Sequence, residues 1–542
     1  MNKWIKICLA EIILLVAVLL CFKPVLGRFN IYDEKSSQDH NVIHVRMLDE
    51  PDRRSYGNEM RILYVKVNGR DLNLSDYDTE DWVWHGEWGY TLFTSGNHDF
   101  YIDIDEKINS LDFCYIRQEG SGKCEIYLND RLLKKQDMFS SKWKNGNLFV
   151  SFLNEGAMIF RGIEIWILLS GVLFALYRSI VLWKKPQEGA EIRIGLGTFN
   201  IAKGLGIVLV VLIHAGLCVL TDADLLSGSL IVGVLFVFFT YGLMPAFFIL
   251  GGFGRKSKIT AAGILNNLKE MLVPYVVIAA IIMICNTVKA YLAADYSFTD
   301  LRKDGISLAV MLIHDKDIKG EFYRTIGPLW FTTSFAIGSI LVSFILKAKG
   351  FLKYVVPIAV TAATWFLMSK DFAYFCITTG LMAALYMYVG SWIYKEKFFG
   401  DNKFVRAAVP VLIPIVILAA LANGTSFAVS GNNMGNSFVL GLIVSIVAAY
   451  IYIRVGIGLN DTFLSKVKIF GKIGWYSYHI FFAHALEYMI IPWNKLAEVL
   501  PDITALKIII IFVLRCGVIA AFTAIFVALS RWKIRRKVNA RG

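Results

Sequence analysis

Stretches of about twenty apolar residues recur along this chain, from Ile7–Phe22 near the start to the segment around 506–529 near the end. A run of that length closes its own backbone hydrogen bonds as a helix and reaches across bilayer hydrocarbon, where lipid-exposed irregular backbone is not tolerated. Apolar residues make up 56% of the 542 positions, above the roughly 45–50% of a soluble globular chain, and the excess sits in these runs. The expected fold is a mainly α polytopic membrane bundle of about twelve transmembrane helices. About ten of them form a core from residue 201 onward, and a β-sandwich-like domain is inserted near the N-terminus.

Residues 1–26 read as an uncleaved signal anchor: Lys3 and Lys6 precede the apolar run, and no small-x-small cleavage site follows it. Glu11 inside the run reads as an interhelical or snorkelling carboxylate. Residues 27–158 are polar and rich in turns. Alternation in Tyr64-Val65-Lys66-Val67, Phe100–Ile104 and Cys124–Leu128 marks half-buried strands, with Asn68-Gly69 and Asn129-Asp130 as turns. Trp82, Trp84, Trp88 and Tyr90 either pack in the core of this domain or stack on sugar rings. Cys114 and Cys124 are the one pair placed for a disulfide; the other cysteines are scattered, with no CxxC and no convergent ligand cluster, so no metal is expected. A second span covers 159–185.

From residue 201 the expected spans lie at about 201–220, 230–253, 271–292, 328–348, 352–369, 372–394, 404–422, 435–454, 473–492 and 506–529. The formal charge of +13 would suit a nucleic-acid binder, but the bases fall in alternate loops. One set holds Arg255, Lys256, Lys258 and Lys269; Lys347, Lys349 and Lys353; Lys395, Lys397, Lys403 and Arg406; Arg454, Lys466, Lys468 and Lys472, followed by a basic tail over 531–542. The other set holds Asp222 and Asp224, Lys370 and Asp371, and the uncharged 423–435. The positive-inside rule then puts both termini in the cytoplasm of a multi-pass plasma-membrane protein, leaves 27–158 extracytoplasmic, and explains the charge without nucleic acid.

Phe199–Cys218, FNIAKGLGIVLVVLIHAGLC, carries two ionisable groups within a spanning run. Such groups are costly in a membrane and are functional candidates. Lys203 and His214 are eleven residues apart, about three turns, so they share one helix face roughly 16 Å apart along the axis. An imidazole inside the membrane can act as a general base, with a fixed cation nearer the cytoplasm to meet an anionic donor. The competing reading is two polar residues satisfied by neighbouring helices.

Several motifs, in order, resemble the acyltransferase family 3 membrane proteins. Lys203-(ten residues)-His214 is similar to the first core helix of that family. Met244–Phe253, MPAFFILGGF, is similar to its second-helix pattern, Val273-Pro274-Tyr275 to the start of its third, Gly327-Pro328-Leu329-Trp330-Phe331 to its "PLWF", and Gly474–His484, GWYSYHIFFAH, to its late "SY…H" helix. The likeness covers about 195–530. It implies an enzyme that transfers an acyl group, usually acetyl, from cytoplasmic acyl-CoA to a hydroxyl of an extracytoplasmic glycan or glycolipid. It further implies His214 as catalytic base, Lys203 as partner of the donor, Trp330 as a wall of the donor or substrate pocket, Lys269 as a donor-phosphate contact, and Ser477 and His484 as polar groups of the core. Glu487, three residues on from His484, shares its face. It either orients a histidine or makes an interhelical ion pair with Arg515. The sequence departs from the family where a basic RxxR-type stretch precedes the "PY": Asn266–Glu270 supplies one base and one acid. Gly251 stands where Ser is common.

The 293–327 loop holds a short apolar stretch, Ile306–Ile313, expected at the interface or re-entrant, followed by His314, Asp315, Asp317 and Glu321, which line an acceptor entrance or are solvated loop residues. A transporter or flippase of a polar lipid or acylated compound also fits a bundle with buried ions. It calls for inverted repeats and matched broken helices, and no clear pair is visible. A sensory receptor calls for a cytoplasmic module larger than the tail after Arg531. The acceptor, the acyl chain length and the oligomeric state are not written in the sequence.

Overall fold

The computed structural model describes residues 3–27, 30–49, 53–140, 144–184, 197–219, 229–254, 260–292, 296–318, 321–395, 403–424, 427–428, 430–461, 468–501 and 504–539. Asp222, Asp224, Arg255, Lys256, Lys258, Lys397 and Lys466, which belong to the charged loops above, lie outside them. The chain divides into two compact units, Met1–Gly171 with Leu226–Ile231, and Val172–Leu225 with Val232–Gly542.

In the first unit, eleven strands form two sheets. The larger has the order β1 (Ile31–Asp33), β11 (Lys144–Leu153), β8 (Ser110–Arg117), β3 (Met60–Val67), β6 (Tyr90–Phe93), β5 (Trp82–His85), with β4 (Arg70–Asp71) on β3. The smaller runs β10 (Arg131–Asp137), β9 (Lys123–Leu128), β2 (Asn41–Leu48), β7 (Asp99–Ile104). Alternate residues of both sheets, such as Ile43, Val45 and Ile126 against Ile62, Phe113 and Val150, enter one core, as the period of two dictates. The Asn-Gly and Asn-Asp turns hold positive φ at both positions, 52° and 79° for Asn68-Gly69 and 48° and 64° for Asn129-Asp130, the geometry of a two-residue hairpin.

Trp82 is core: its ring stacks on Phe100 across the two sheets, centroids 4.8 Å apart, and its indole N–H donates to the Asn97 carbonyl at 3.1 Å. Trp88 is 58% exposed and lies on His85. Cys114 and Cys124 are both free, one in each sheet. The bridge considered from sequence is absent because Cys124 points into the core shared by the sheets, where its Sγ meets Met138 Sδ, while Cys114, between the core residues Phe113 and Tyr115, points to the opposite face beside Tyr64. Burial pushes the Cys114 thiol up to about 11 and the Cys124 thiol to about 12, so both stay protonated near neutral pH.

Helix Lys3–Gly27 packs on the early turns of helix Glu155–Lys184. A Cβ on Gly162 would lie 2.9 Å from Leu19, and Glu11 accepts from Ser170 at 2.6 Å, an interhelical bond. The buried Arg161–Glu164 pair, 2.8 Å, also reaches Ser229 and the Leu230 amide, so Glu164 satisfies an orphan donor at the start of helix Leu230–Gly252.

In the second unit the helices pack by close approach of small residues, as membrane helices do without a hydrophobic drive between them. A Cβ on Gly390 would stand 2.0 Å from the Ile249 carbonyl, and one on Gly338 2.7 Å from the Ala383 Cβ. Nine helices among the described residues are long and apolar enough to cross a membrane: Glu155–Lys184, Asn200–Leu217, Leu230–Gly252, Ala262–Leu292, Gly327–Lys347, Leu352–Ser369, Phe404–Ala422, Phe438–Gly458 and Leu506–Arg531. Three of the expected twelve are not among them. The first is helix Lys3–Gly27, in which side chains are described only from Ala10 onward. Helix Ile377–Lys395 forms but is rich in Thr, Gly, Tyr and Ala, because most of its surface is buried by protein and little has to match lipid. The span expected at 473–492 is two helices, Lys468–Trp475 and Ser477–Ile490, broken at Tyr476. The longer has 14 residues, about 21 Å, short of the roughly 30 Å of hydrocarbon.

The described residues of the 293–327 loop, 296–318 and 321–327, are built rather than loose. Helix Phe298–Ala309 opens on a Ser297/Asp300 capping box, a hairpin follows (Lys316–Ile318 with Glu321–Tyr323), and Leu308, Leu312 and Ile313 are buried. His314 and Lys316 both hold Asp371, at 3.0 Å each; Asp315 accepts the Thr325 amide; Glu321 pairs with Arg302. Burial pushes the Asp371 carboxyl up, and the bonds from His314 and Lys316 outweigh it, holding it well below the usual carboxylate range. Residues 531–539 continue the last helix, Thr504–Asn539, rather than forming a separate tail.

Candidate active site

Helix Asn200–Leu217 presents Lys203, Ile207, Val210 and His214 at steps of four, three and four, one helix face. The neighbouring turn is fixed by contacts that admit no side chain. A Cβ on Gly204 would lie 2.1 Å from the Phe470 carbonyl, and one on Gly474 1.8 Å from the Asn200 carbonyl, so helix Lys468–Trp475 lies backbone to backbone on the His214 helix. Tyr476, at φ −90° and ψ 11°, redirects the chain, and Ser477–Ile490 brings its own face with Ser477, Tyr478, Phe481 and His484 towards the first.

Between these faces is a cavity of about 230 Å³, lined by Lys203, Ile207, Val210, Met244, Phe247, Leu250, Gly251, Met271, Phe331, Thr332, Phe335, Ser477, Tyr478, Phe481 and His484. Its wall is almost wholly apolar, with Lys203 and Ser477 towards one end of the two helices and His484 further along. Three residues singled out from sequence, Lys203, Ser477 and His484, are thus in one cavity. Trp330 is not in its lining: its ring lies behind, against Phe248 and Phe331, and Phe331 takes the wall position. Lys269 is exposed and outside the lining, although Met271 two residues on is part of it.

His214 and His484 meet directly, Nδ1 to Nε2, at 3.1 Å, with ring centroids 5.0 Å apart. His484 Nδ1 is 2.8 Å from Glu487 Oε1. The same oxygen accepts Nε and Nη2 of Arg515 at 3.1 and 2.9 Å, and Oε2 accepts the Trp493 indole N–H. His484, Glu487 and Arg515 are all buried, 2%, 0% and 0% exposed, whereas His214 is half-buried. Arg515 Nη1 also donates to the His214 carbonyl at 3.1 Å. That carbonyl belongs to the last turn of its helix, where acceptors lack intrahelical donors and a cation is favoured. The Tyr488 ring packs on His214, centroids 5.1 Å apart.

Both readings offered for Glu487 therefore hold together: it contacts His484 and it pairs with Arg515. Trp493 and Tyr488 were not singled out from sequence. Tyr488 follows Glu487 and was within reach of the same reasoning. Trp493 arrives through the Ile491-Pro492 break and a short helix, which no local signal ties to the site.

The fold and site define a multi-pass membrane protein whose core carries an apolar cavity with a lysine and one histidine of an imidazole pair in its wall. The family model of the acyltransferase domain, Acyl_transf_3, matches residues 196–530, and the chain belongs to that family. It is an acyltransferase of the membrane. No curated protein and no solved structure matches the chain.

Proposed function

We propose that this protein moves an acyl group, usually acetyl, from cytoplasmic acyl-CoA to a hydroxyl of an extracytoplasmic glycan or glycolipid. The observation that carries the reading is the cavity whose wall holds Lys203 and His484, with His214, itself outside that lining, 3.1 Å from His484. Its volume is below the roughly 300–1,000 Å³ of a site for a whole drug-sized ligand. It suits the acyl-thioester end of a long donor, whose nucleotide stays outside. The basic residues at one set of helix ends, Lys347, Lys349, Lys353, Lys395, Arg406, Arg454 and Lys472, favour the cytoplasm for that side. By the same alternation, Lys203 is at the cytoplasmic end of its helix and residues 27–158 are outside.

Both nitrogens of His484 are engaged, and the proton is assigned to His214, whose Nδ1 meets His484 and whose Nε2 is the other basic nitrogen. His214 takes the proton of the acceptor hydroxyl as its oxygen bonds to the acyl carbon. The C–S bond then breaks, and the same proton passes to the departing thiolate, giving the ester and free CoA thiol. Lys203 supplies a charge for the anionic donor.

Inside-out membrane vesicles given radiolabelled acetyl-CoA test this. Label enters lumenal glycan with the wild type and not with His214→Ala; full transfer by His214→Ala at equal membrane content removes the base. Lys203→Ala raises the donor KM about tenfold or more while Lys203→Arg stays near wild type, because a permanent charge is what the position supplies.

A further inference from the structure

Glu487 receives three donors besides His484: Nε and Nη2 of Arg515 and the Trp493 indole N–H. A carboxyl so surrounded is the ionised, acceptor-only form, so the 2.8 Å contact with His484 requires that His484 Nδ1 carry a hydrogen. The Glu487 charge is already balanced by Arg515. A second proton on His484 would leave a net positive charge in a fully buried cluster, which is costly. His484 is therefore neutral, and its Nε2 is an acceptor. The 3.1 Å contact between that Nε2 and His214 Nδ1 is then a hydrogen bond only if His214 donates.

We propose that the Glu487–His484 pair is a positioning relay that fixes His214 as the Nδ1–H tautomer and so leaves its Nε2 lone pair to take the acceptor's proton. The inference rests on His214 being the base. When His214 takes that proton, its Nδ1–H still points at the His484 acceptor, and the charge that forms is met by Glu487 through one imidazole. Arg515 sets two parts of this arrangement at once, since it holds the Glu487 oxygen and the carbonyl of His214 itself. Neither Glu487 nor His484 needs to touch the acyl donor chemically; both act through His214. A Ser-His-Asp triad shows the scale: replacing its aspartate by asparagine fixes the wrong tautomer and lowers kcat about 10⁴-fold.

Two measurements test the relay. Solid-state ¹⁵N NMR of the [¹⁵N]histidine-labelled full chain in lipid bilayers reads tautomers directly, with His214 and His484 assigned by their loss in single variants. The relay requires Nδ1–H on both histidines; a His214 spectrum with hydrogen on Nε2 overturns it, whatever the activity. In the vesicle assay with saturating acetyl-CoA, His484→Asn keeps a donor for Glu487 and removes the acceptor facing His214, so transfer falls about 100-fold or more. His484→Gln keeps that acceptor and stays within about tenfold of wild type. Equal activity of the two variants contradicts the relay. If His484→Asn does not accumulate in membranes, the wild-type spectrum decides alone: hydrogen on His214 Nε2 contradicts the relay. Loss of the base assignment is separable, because it follows from transfer by His214→Ala while the spectrum stands independently.

Discussion

Arg515→Met removes one charge of a fully buried pair and keeps most of the apolar stem. Glu487 is then left ionised with only the neutral donors His484 and Trp493, and the His214 carbonyl loses its 3.1 Å partner. Stranding one member of a buried ion pair costs about 3–5 kcal/mol, and the lost carbonyl bond adds about 1 kcal/mol. Glu487→Gln alone strands Arg515 and costs a similar amount. Independent sites would give the double variant the sum, about 9 kcal/mol. Arg515→Met/Glu487→Gln has no buried charge left and should cost less than either single change, a coupling of about 3 kcal/mol or more. The assay is reversible unfolding in mixed micelles of rising SDS fraction, followed by tryptophan fluorescence, for the four proteins of the cycle. Additivity within about 0.5 kcal/mol would refute the reasoning, since two charges in contact cannot be energetically independent in this setting.

Gly204→Ala places a Cβ 2.1 Å from the Phe470 carbonyl, so the two helices must part; a loss of about 1–3 kcal/mol in the same unfolding assay and reduced acyl transfer are expected. In the β-domain, Trp82→Ala costs about 3–5 kcal/mol and Trp88→Ala stays within about 0.5 kcal/mol, read as thermal midpoints of the full chain in detergent. Asp371→Asn removes the charge that holds His314 and leaves Lys316 only its bond to the residue-371 carbonyl, and it lowers hydrogen-exchange protection across 310–318 and 321–327. Because the Asp371 carboxyl is depressed, its contribution is full above the 3.8 of a free aspartate and is lost as pH falls below it towards the folded value. Wild-type protection factors in that segment therefore fall in acid, and the variant's fall less.

Much of the architecture is legible because it follows from period and length. Apolar runs become helices, alternation becomes the two sheets, and Asn68-Gly69 and Asn129-Asp130 turn where both residues can take positive φ. The shared face of Lys203 and His214 follows from 3.6 residues per turn, and Ile207 and Val210 between them line the same cavity. The rest depends on partners remote in sequence. Nothing at Tyr476 marks a break, with neither Pro nor Gly at that residue; it arises where Gly474 is pressed on the Asn200 carbonyl. Helix Ile377–Lys395 escapes the lipid criterion because protein, not lipid, surrounds it. The His214–His484 contact joins residues 270 apart, and Trp330 is displaced from the cavity wall by its neighbour Phe331, a one-residue matter of helix phase.

The most direct test of acyl transfer by His214 is mass spectrometry of surface glycans and glycolipids from cells that carry the wild-type chain, the His214→Ala chain at equal membrane level, or neither. The account predicts one added acetyl or longer acyl unit on a defined species with the wild type alone. The same added unit with His214→Ala, or identical spectra from all three, would contradict it.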